Sequence, residues 1–390
     1  MTAEEKTQYS FPTLVLDGGL VGTTLEDVFH RDISGPLWSA KPIEEDPEVI
    51  IEAHLAFLRA GADIILTSTY QCAHNTFERS GYSREDARHI MLKSVRLAME
   101  AKHRFLEEQR DTKTSSQQLR SVMVALSLGP YGATLYPAQE FDGFYPPPFG
   151  PDLSRTSEKT NTFEDASKEQ AAIEALTTFH FERLSVFADE PEVWDAVDFV
   201  AFETVPLRRE ITAIRRAVAE LQTTKDLVPI GVPRNDGNRM MKRWWISTVH
   251  PDGRYPEMTV EGRRATTTEV AEAALLCENE LPSPWGFGIN CTSIEFLPGL
   301  LQEVKNVAKE VAVGWRKPWL VLYPNRGDLY EPKTQTWEKR NKEGAGWAEE
   351  MRTVVDEAGK AQVWAGVIAG GCCKTGPDEI SCLAQELRNI

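Results

Sequence analysis

The sequence predicts an α/β fold, a single (β/α)8 TIM barrel with inserted loops that occupies residues 1–390 as one domain. Three observations lead there. Short apolar runs of strand length alternate with amphipathic runs of helix length through the chain, and a strand followed by a crossover helix is the repeating unit of a parallel sheet. The polar and sulfur-bearing residues of these runs gather at their C-terminal ends, where a barrel carries its active site. A length of 390 residues suits one large barrel. A doubly wound open sheet is the weaker alternative.

In order, the first strand is Leu14-Val15-Leu16-Asp17-Gly18-Gly19, a buried run that ends in an acid and a glycine turn, with Gly22-Thr23 just beyond. A helix over 47–60 carries Val49, Ile50, Ala53, Phe57 and Leu58 on one face and is capped by Gly61. The second strand, 63–70, has its polar residues at the C-terminal end. A charged helix over 84–108 and a polar link over 111–118 lead to the third strand, 121–128, which ends in Gly129-Pro130-Tyr131-Gly132. The Pro/Gly-rich segment 137–151 is too long for a simple connector and reads as a lid or substrate wall.

Helix 166–188 feeds strand 198–204, and helix 207–221 feeds a fifth strand placed at 244–248 in preference to 228–232. The basic stretch 233–243 between these two runs reads as an inserted loop. Helix 268–279 then precedes strand 285–291, helix 296–313 precedes strand 319–323, helix 346–358 precedes strand 363–371, and 377–388 is the eighth helix.

Bulk properties narrow the function. Apolar residues at 41% and charged residues at 26% are ordinary for a globular chain. A net charge of -16 argues against nucleic acid or an anionic membrane as partner and favours a neutral, zwitterionic or cationic small molecule. The polar N-terminus lacks a secretory pattern and no run approaches bilayer-spanning length, so a cytoplasmic, reducing setting is expected. Six cysteines are too few for a disulfide scaffold in a chain of this size.

The strand ends carry the chemistry. Cys372 and Cys373 follow Gly370-Gly371, and neighbouring side chains on a regular strand would point to opposite faces. A metal that holds both sulfurs explains the pair, with Cys291 of Gly288-Ile289-Asn290-Cys291-Thr292 as a third ligand and a fourth tetrahedral position left for catalysis. Inert buried thiols and a strained vicinal disulfide are the alternatives. Cys72, Cys277 and Cys382 read as packing residues, although Cys72 borders the second strand end. Asp17 and Glu203 suit recognition of an ammonium group, against structural roles as a turn cap and as a partner of Arg208. His54, His74, His89 and His180 read as surface or helix residues and not as ligands. Gly18-Gly19-x-x-Gly22 is only a weak likeness of a phosphate loop.

Together these stretches resemble the homocysteine S-methyltransferase family of zinc-dependent barrels. The matching residues are Asp17-Gly18-Gly19 with Gly22-Thr23, 67–71, Gly129-Pro130-Tyr131-Gly132, Phe202-Glu203-Thr204-Val205-Pro206, Gly288 to Thr292, Tyr323-Pro324-Asn325 and Gly370 to Cys373, so the likeness runs over nearly the whole chain. It implies Cys291, Cys372 and Cys373 as catalytic zinc ligands, and Asp17 and Glu203 as holders of the homocysteine amino group. Backbone groups near Thr23 and Asn290 are implied for its carboxylate, with Gly18 as a further substrate-binding residue.

A chain without the extra domains of cobalamin-linked members suits a small sulfonium donor, S-methylmethionine or S-adenosylmethionine, with betaine as runner-up. Tyr70, Tyr131 and Trp244 are candidates for cation-π contact with such a donor, or else rim packing. A zinc hydrolase and a non-enzymatic thiol or metal sensor fit less well. The insertions at 137–161 and 233–243 leave donor choice open, and a homo-oligomer with it.

Overall fold

Eight short parallel strands form the wall: β1 (Thr13–Val15), β2 (Ile64–Leu66), β3 (Met123–Leu128), β4 (Phe199–Val205), β5 (Arg243–Thr248), β6 (Gly286–Ser293), β7 (Trp319–Asn325) and β8 (Val367–Ala369). They pair in the order β1-β8-β7-β6-β5-β4-β3-β2. A parallel bridge between Leu16 and Ile64 joins the two ends into a ring, with Asp17 N–H donating to Ile64 O (3.0 Å) and Asp63 N–H to Val15 O (2.7 Å). The source is a computed structural model, and it describes residues 11–31, 37, 40–112, 119–152, 160–229, 239–276, 280–314, 317–327, 329–331, 336–338 and 344–388.

A helix follows each strand: α1 (Pro47–Ala60), α2 (Arg84–Thr112), α3 (Ala166–Ala188), α4 (Arg208–Thr224), α5 (Thr267–Leu275), α6 (Leu297–Gly314), α7 (Gly344–Lys360) and α8 (Pro377–Arg388). Local chemistry sets their ends. Proline opens α1 and Gly61, at φ 118°, closes it. Asp165 accepts from Ser167 N–H at the start of α3, and Thr266 with Glu269 forms a capping box on α5. Among the described residues no helix is long and apolar enough to cross a membrane.

The alternative of an open doubly wound sheet is excluded by the closed ring. The fifth strand is the Trp244-Trp245 run as expected, and Val228 makes only an isolated bridge to Met240. The inserted loop expected at 233–243 lies outside the described residues from 233 to 238. Short helices at Lys41–Glu45, His74–Arg79 and Pro191–Ala196, and a hairpin of Leu329–Glu331 with Thr336–Glu338, are additions the periodicity does not reveal.

Strand parity divides the side chains. Leu16, Ile64, Leu66, Ala125, Phe199, Ala201, Trp245, Val321 and Ile368 fill the barrel, whereas Val124, Val200, Phe202, Trp244 and Leu320 pack outward against the helices. Two residues beyond the apolar inward positions Ala125, Ala201, Trp245 and Val321 stand Ser127, Glu203, Ser247 and Tyr323, so the barrel filling turns polar toward the C-terminal mouth. Gly288 completes that level because a Cβ there would lie 2.4 Å from Val321 O and 2.8 Å from Ser247 Oγ. Gly288→Ala is therefore expected to destabilise the fold by about 1–3 kcal/mol, read as a lowered urea midpoint, because a rigid strand backbone cannot move aside.

Candidate active site

The three cysteines converge. Their sulfurs all lie within 4.8 Å of one another, although Cys291 comes from β6 and the other two from the turn after β8. Cys291 and Cys372 are joined as a disulfide with their Cα atoms 5.5 Å apart, and Cys373 is free. The bond is thus not the vicinal one.

The observed β8 is shorter than 363–371 and ends at Ala369, which is why adjacent sulfurs need not face opposite ways. Gly370 N–H still donates to Leu322 O (2.8 Å) on β7, but Gly371 N–H donates to Asp17 O (3.1 Å) and Cys372 N–H to Pro324 O (2.9 Å). Cys373 N–H donates to Asn325 Oδ1 at 3.1 Å. Gly370 must be glycine because a Cβ would sit 2.6 Å from Leu16 Cβ and 2.7 Å from Asp17 O. The turn is clamped from both sides.

These residues fit a thiophilic divalent ion. Three sulfurs within a sphere of this size match the spacing of tetrahedral thiolate ligands with bonds of about 2.3 Å, once the Cys291–Cys372 pair is reduced. Burial, helped by the charge of Glu140, pushes the Cys373 thiol up to about 12, so it ionises at neutral pH only beside a strong positive charge.

Two acids share the mouth. Asp17 is fully buried, with Oδ2 accepting from Leu66 N–H at 2.8 Å and Oδ1 without a partner. Burial, and then the like charge of Glu203, holds its pKa well above the usual carboxylate range. Glu203 on β4 is 4% exposed, accepts from Ser127 Oγ, and has its pKa raised to about 7 by burial. Tyr323 also bonds Glu203, and its Oη lies 2.8 Å from Ser247 Oγ and receives Trp245 Nε1–H at 3.4 Å. Among the described residues neither acid forms an ion pair; Arg208, the partner in the alternative structural reading of Glu203, pairs with Glu257 at 2.9 Å. Two buried like charges with no counter-ion are costly, and an ammonium between them removes the cost.

Asn290 is committed to the protein. Its Oδ1 accepts from Thr204 N–H (2.8 Å) and its Nδ2 donates to Thr204 Oγ1 (2.7 Å), while its carbonyl accepts from Thr292 Oγ1 (2.9 Å). The clasp spans two left-handed residues, Thr204 at φ 58° and Cys291 at φ 48°, each at an irregularity in strand register. A β-branched residue in that region is strained, and the amide pair holds it there. Gly18 lies against Thr375, whose carbonyl would be 2.4 Å from a Cβ. Thr23 lies in the helical segment Leu20–Val28, which opens with Thr24 N–H donating to Gly19 O at 2.9 Å.

The aromatic candidates separate. Trp244 packs in the outer core and edge-on to Phe202, and Tyr131 stacks on Phe149 within the loop after β3, so both make the packing contacts of the alternative reading. Tyr70 is half-buried and bonds Thr204, close enough to Glu140, Glu203 and Cys373 for their charges to act on it. Of the other cysteines, Cys72 is buried with Sγ 3.7 Å from Ser68 O, and Cys277 lies outside the described residues. His54 is a helix residue as expected, fully buried in α1, where desolvation lowers its pKa to about 3. His180 is buried against Glu210 at 3.0 Å.

Sequence reasoning missed three participants. Glu210 binds Tyr131 N–H (2.6 Å), Tyr145 Oη (2.6 Å) and His180, and so ties the loop after β3 to α3 and α4. Thr204 is the strained partner in the clasp. Glu140, inside the segment read as a substrate wall, is buried with Oε2 unpartnered and a pKa raised to about 7 by burial.

Comparison with known proteins places these features in context. The family model described as Homocysteine S-methyltransferase matches residues 14–387. The chain is 31% identical over 381 residues to Homocysteine S-methyltransferase 2 of Arabidopsis thaliana, covering 96% of this chain and 93% of the relative. It is also 31% identical over 374 residues to a Selenocysteine Se-methyltransferase of Brassica oleracea var. italica, covering 96% and 88%. The crystal structure of the metallated form of the homocysteine methyltransferase MmuM from Escherichia coli superposes with a TM-score of 0.60 at 26% identity, covering 96% of each chain.

Asn290→Ala removes both hydrogen bonds that hold Thr204 in its left-handed conformation. A loss of about 1–3 kcal/mol is expected from the orphaned Thr204 N–H, measured by denaturant unfolding, and an unchanged midpoint would count against the clasp.

Proposed function

The chain belongs to the homocysteine S-methyltransferase family, whose reaction is methyl transfer to homocysteine, and from that premise we propose a metal, a substrate pose and a donor class. Cys291, Cys372 and Cys373 hold a zinc ion, Asp17 and Glu203 hold the amino group of homocysteine, and a small sulfonium compound supplies the methyl group. The observation that carries this reading is the juxtaposition of three converging thiols with a buried, uncompensated pair of carboxylates. An amino acid that ends in a thiol satisfies both.

Zinc, when bound, supplies the positive charge that turns a substrate thiol into a thiolate near neutral pH. The chain's own residues do the rest. Asp17 and Glu203 bind the ammonium, Ser127 and Tyr323 fix the Glu203 carboxylate, and backbone N–H groups near Gly18 and Thr23, at the start of the segment Leu20–Val28, receive the substrate carboxylate. Asn290 acts through Thr204 and so keeps the bend beside Cys291 in place. Held at both ends, the homocysteine sulfur directs a lone pair at the methyl carbon of the donor. A new S–C bond forms, the old S–C bond breaks, and its electron pair neutralises the donor sulfonium, leaving methionine and a neutral thioether. No general base is needed at that step. A cationic donor is drawn to this acid-rich mouth, and S-methylmethionine or S-adenosylmethionine fits it better than betaine, whose donor atom is nitrogen.

Cys372→Ser should lose zinc and methyl transfer while keeping the circular dichroism of the wild type; full metal content in the variant would remove Cys372 from the ligand set. The second expectation concerns pH. Methionine has no thiol, so its binding reports the ammonium site alone, and the groups facing that site are Asp17, Glu203, Tyr70 and Tyr323. Because the ammonium needs the ionised carboxylate and Glu203 titrates at about 7, affinity rises with pH through about 7 and falls about tenfold per pH unit below it. Glu203→Gln should weaken methionine at pH 8 and abolish that inflection; an inflection retained at the same pH would disprove the assignment.

A further inference from the structure

We propose that Glu140 is the anionic partner of the methyl donor, pairing with its sulfonium or its α-ammonium. This rests on the methyl-transfer reading above and adds to it the residue that receives the donor's charge. Glu140 lies on the segment after β3, not on a barrel strand, and is 7% exposed with Oε2 unpartnered. Among the described residues no Lys, Arg or His forms an ion pair with it. A carboxylate that buried, with one oxygen unsatisfied, is stable only beside a cation or as a neutral acid.

Its position is fixed by its neighbours. Gln139 N–H donates to Gly132 O (3.0 Å), and Gly143 N–H donates to Gln139 O (2.9 Å). Gly132 leaves no room for a Cβ, which would be 2.7 Å from Gln139 C. Asn161 Nδ2 holds Asp142 O at 2.7 Å and Pro256 O at 3.0 Å, which pins the far side of the turn to the segment between β5 and α5. Gly129, at the end of β3, is packed against Tyr70, whose ring would be 2.8 Å from a Cβ there. The charge of Glu140 acts on both the Tyr70 phenol and the Cys373 thiol.

The mouth thus has two anionic stations. Asp17, with the charge of Glu203 acting on it, forms one; Glu140, whose charge acts on Cys373, forms the other, and the Tyr70 phenol feels both glutamates. Homocysteine brings a single ammonium, which the first station takes. Zinc held by three thiolates carries no net positive charge, so the cation for the second is the one that arrives with the other substrate. An aromatic ring next to a carboxylate suits a soft organic cation, and once the methyl has moved the thioether product no longer pays that station anything through its sulfur.

The test uses the full-length zinc-loaded chain. With homocysteine saturating, Glu140→Gln is expected to raise the KM for S-methylmethionine at least tenfold while the homocysteine KM and the zinc content stay within twofold; Glu140→Asp should recover part of the loss. Calorimetry without homocysteine gives a second readout: S-methylmethionine should bind Glu140→Gln at least tenfold more weakly than wild type. Dimethylsulfonioacetate, which has no amino group, separates the two sources of charge. If it is weakened as well, the sulfonium is the partner; if only S-methylmethionine is weakened, the α-ammonium is. A donor KM and Kd within twofold of wild type, or equal losses for donor and homocysteine, would overturn the proposal. Wild-type chain that binds sulfonium compounds but transfers no methyl group from them would instead reject the methyl-transfer reading and leave the Glu140 comparison decidable by calorimetry.

Discussion

The seam between β1 and β2 is the constraint on which the barrel and its mouth both depend. The two strands are three residues each, too short to close a ring by an extended ladder. Side chains supplement the backbone: Asp63 Oδ2 accepts from Val15 N–H (3.0 Å) below the bridge, and Asp17 Oδ2 accepts from Leu66 N–H (2.8 Å) above it. Arg388 from the last helix reaches Asp63 Oδ1 (2.8 Å) and Gly61 O (2.6 Å), so the C-terminal end of the fold locks the N-terminal strand. Asp17 therefore serves twice. One oxygen closes the ring and the other is left without a partner.

The same economy of backbone groups governs the sulfur cage. Gly371 N–H bonds the carbonyl of Asp17, Gly19 N–H bonds the carbonyl of Thr375, and Cys373 N–H bonds the side chain of Asn325. The thiols and the acids are thus mechanically coupled through the turn after β8. Across the barrel, the Asn290 to Thr204 clasp couples the bulge that carries Cys291 to the strand that carries Glu203. The thiols and the acids are thus held in place by hydrogen bonds from both sides of the mouth, which is what the proposed site needs if a thiol and an ammonium of the same small molecule are to be held at once.

Electrostatics then sort the partners. Three buried acids stand near the mouth, none of them in an ion pair among the described residues, and the chain as a whole is strongly acidic. Low-dielectric surroundings magnify such charges and favour cationic ligands over anionic ones. The loop after β3 contributes to this as a braced wall: Glu210 anchors it through Tyr131 and Tyr145, and Arg209 adds bonds to Asn161 O (2.6 Å) and Phe149 O (3.3 Å).

The barrel, the order of its strands and helices, and the placement of Cys291, Cys372, Cys373, Asp17 and Glu203 at strand ends were legible in the chain, because apolar periodicity and the position of polar residues within each run are local properties. The sequence also marked 137–151 as more than a connector, through length and proline content. Only the tertiary structure decided that Trp245 faces inward and Trp244 outward, since a shift of one residue in strand parity exchanges them. Only the structure showed the Asn290 clasp, the burial of His54, the Glu210 hub and the unpartnered Glu140. Each of these depends on which distant segment lies opposite a given side chain, and burial and hydrogen-bond partners across long sequence separations leave no periodic trace in the sequence.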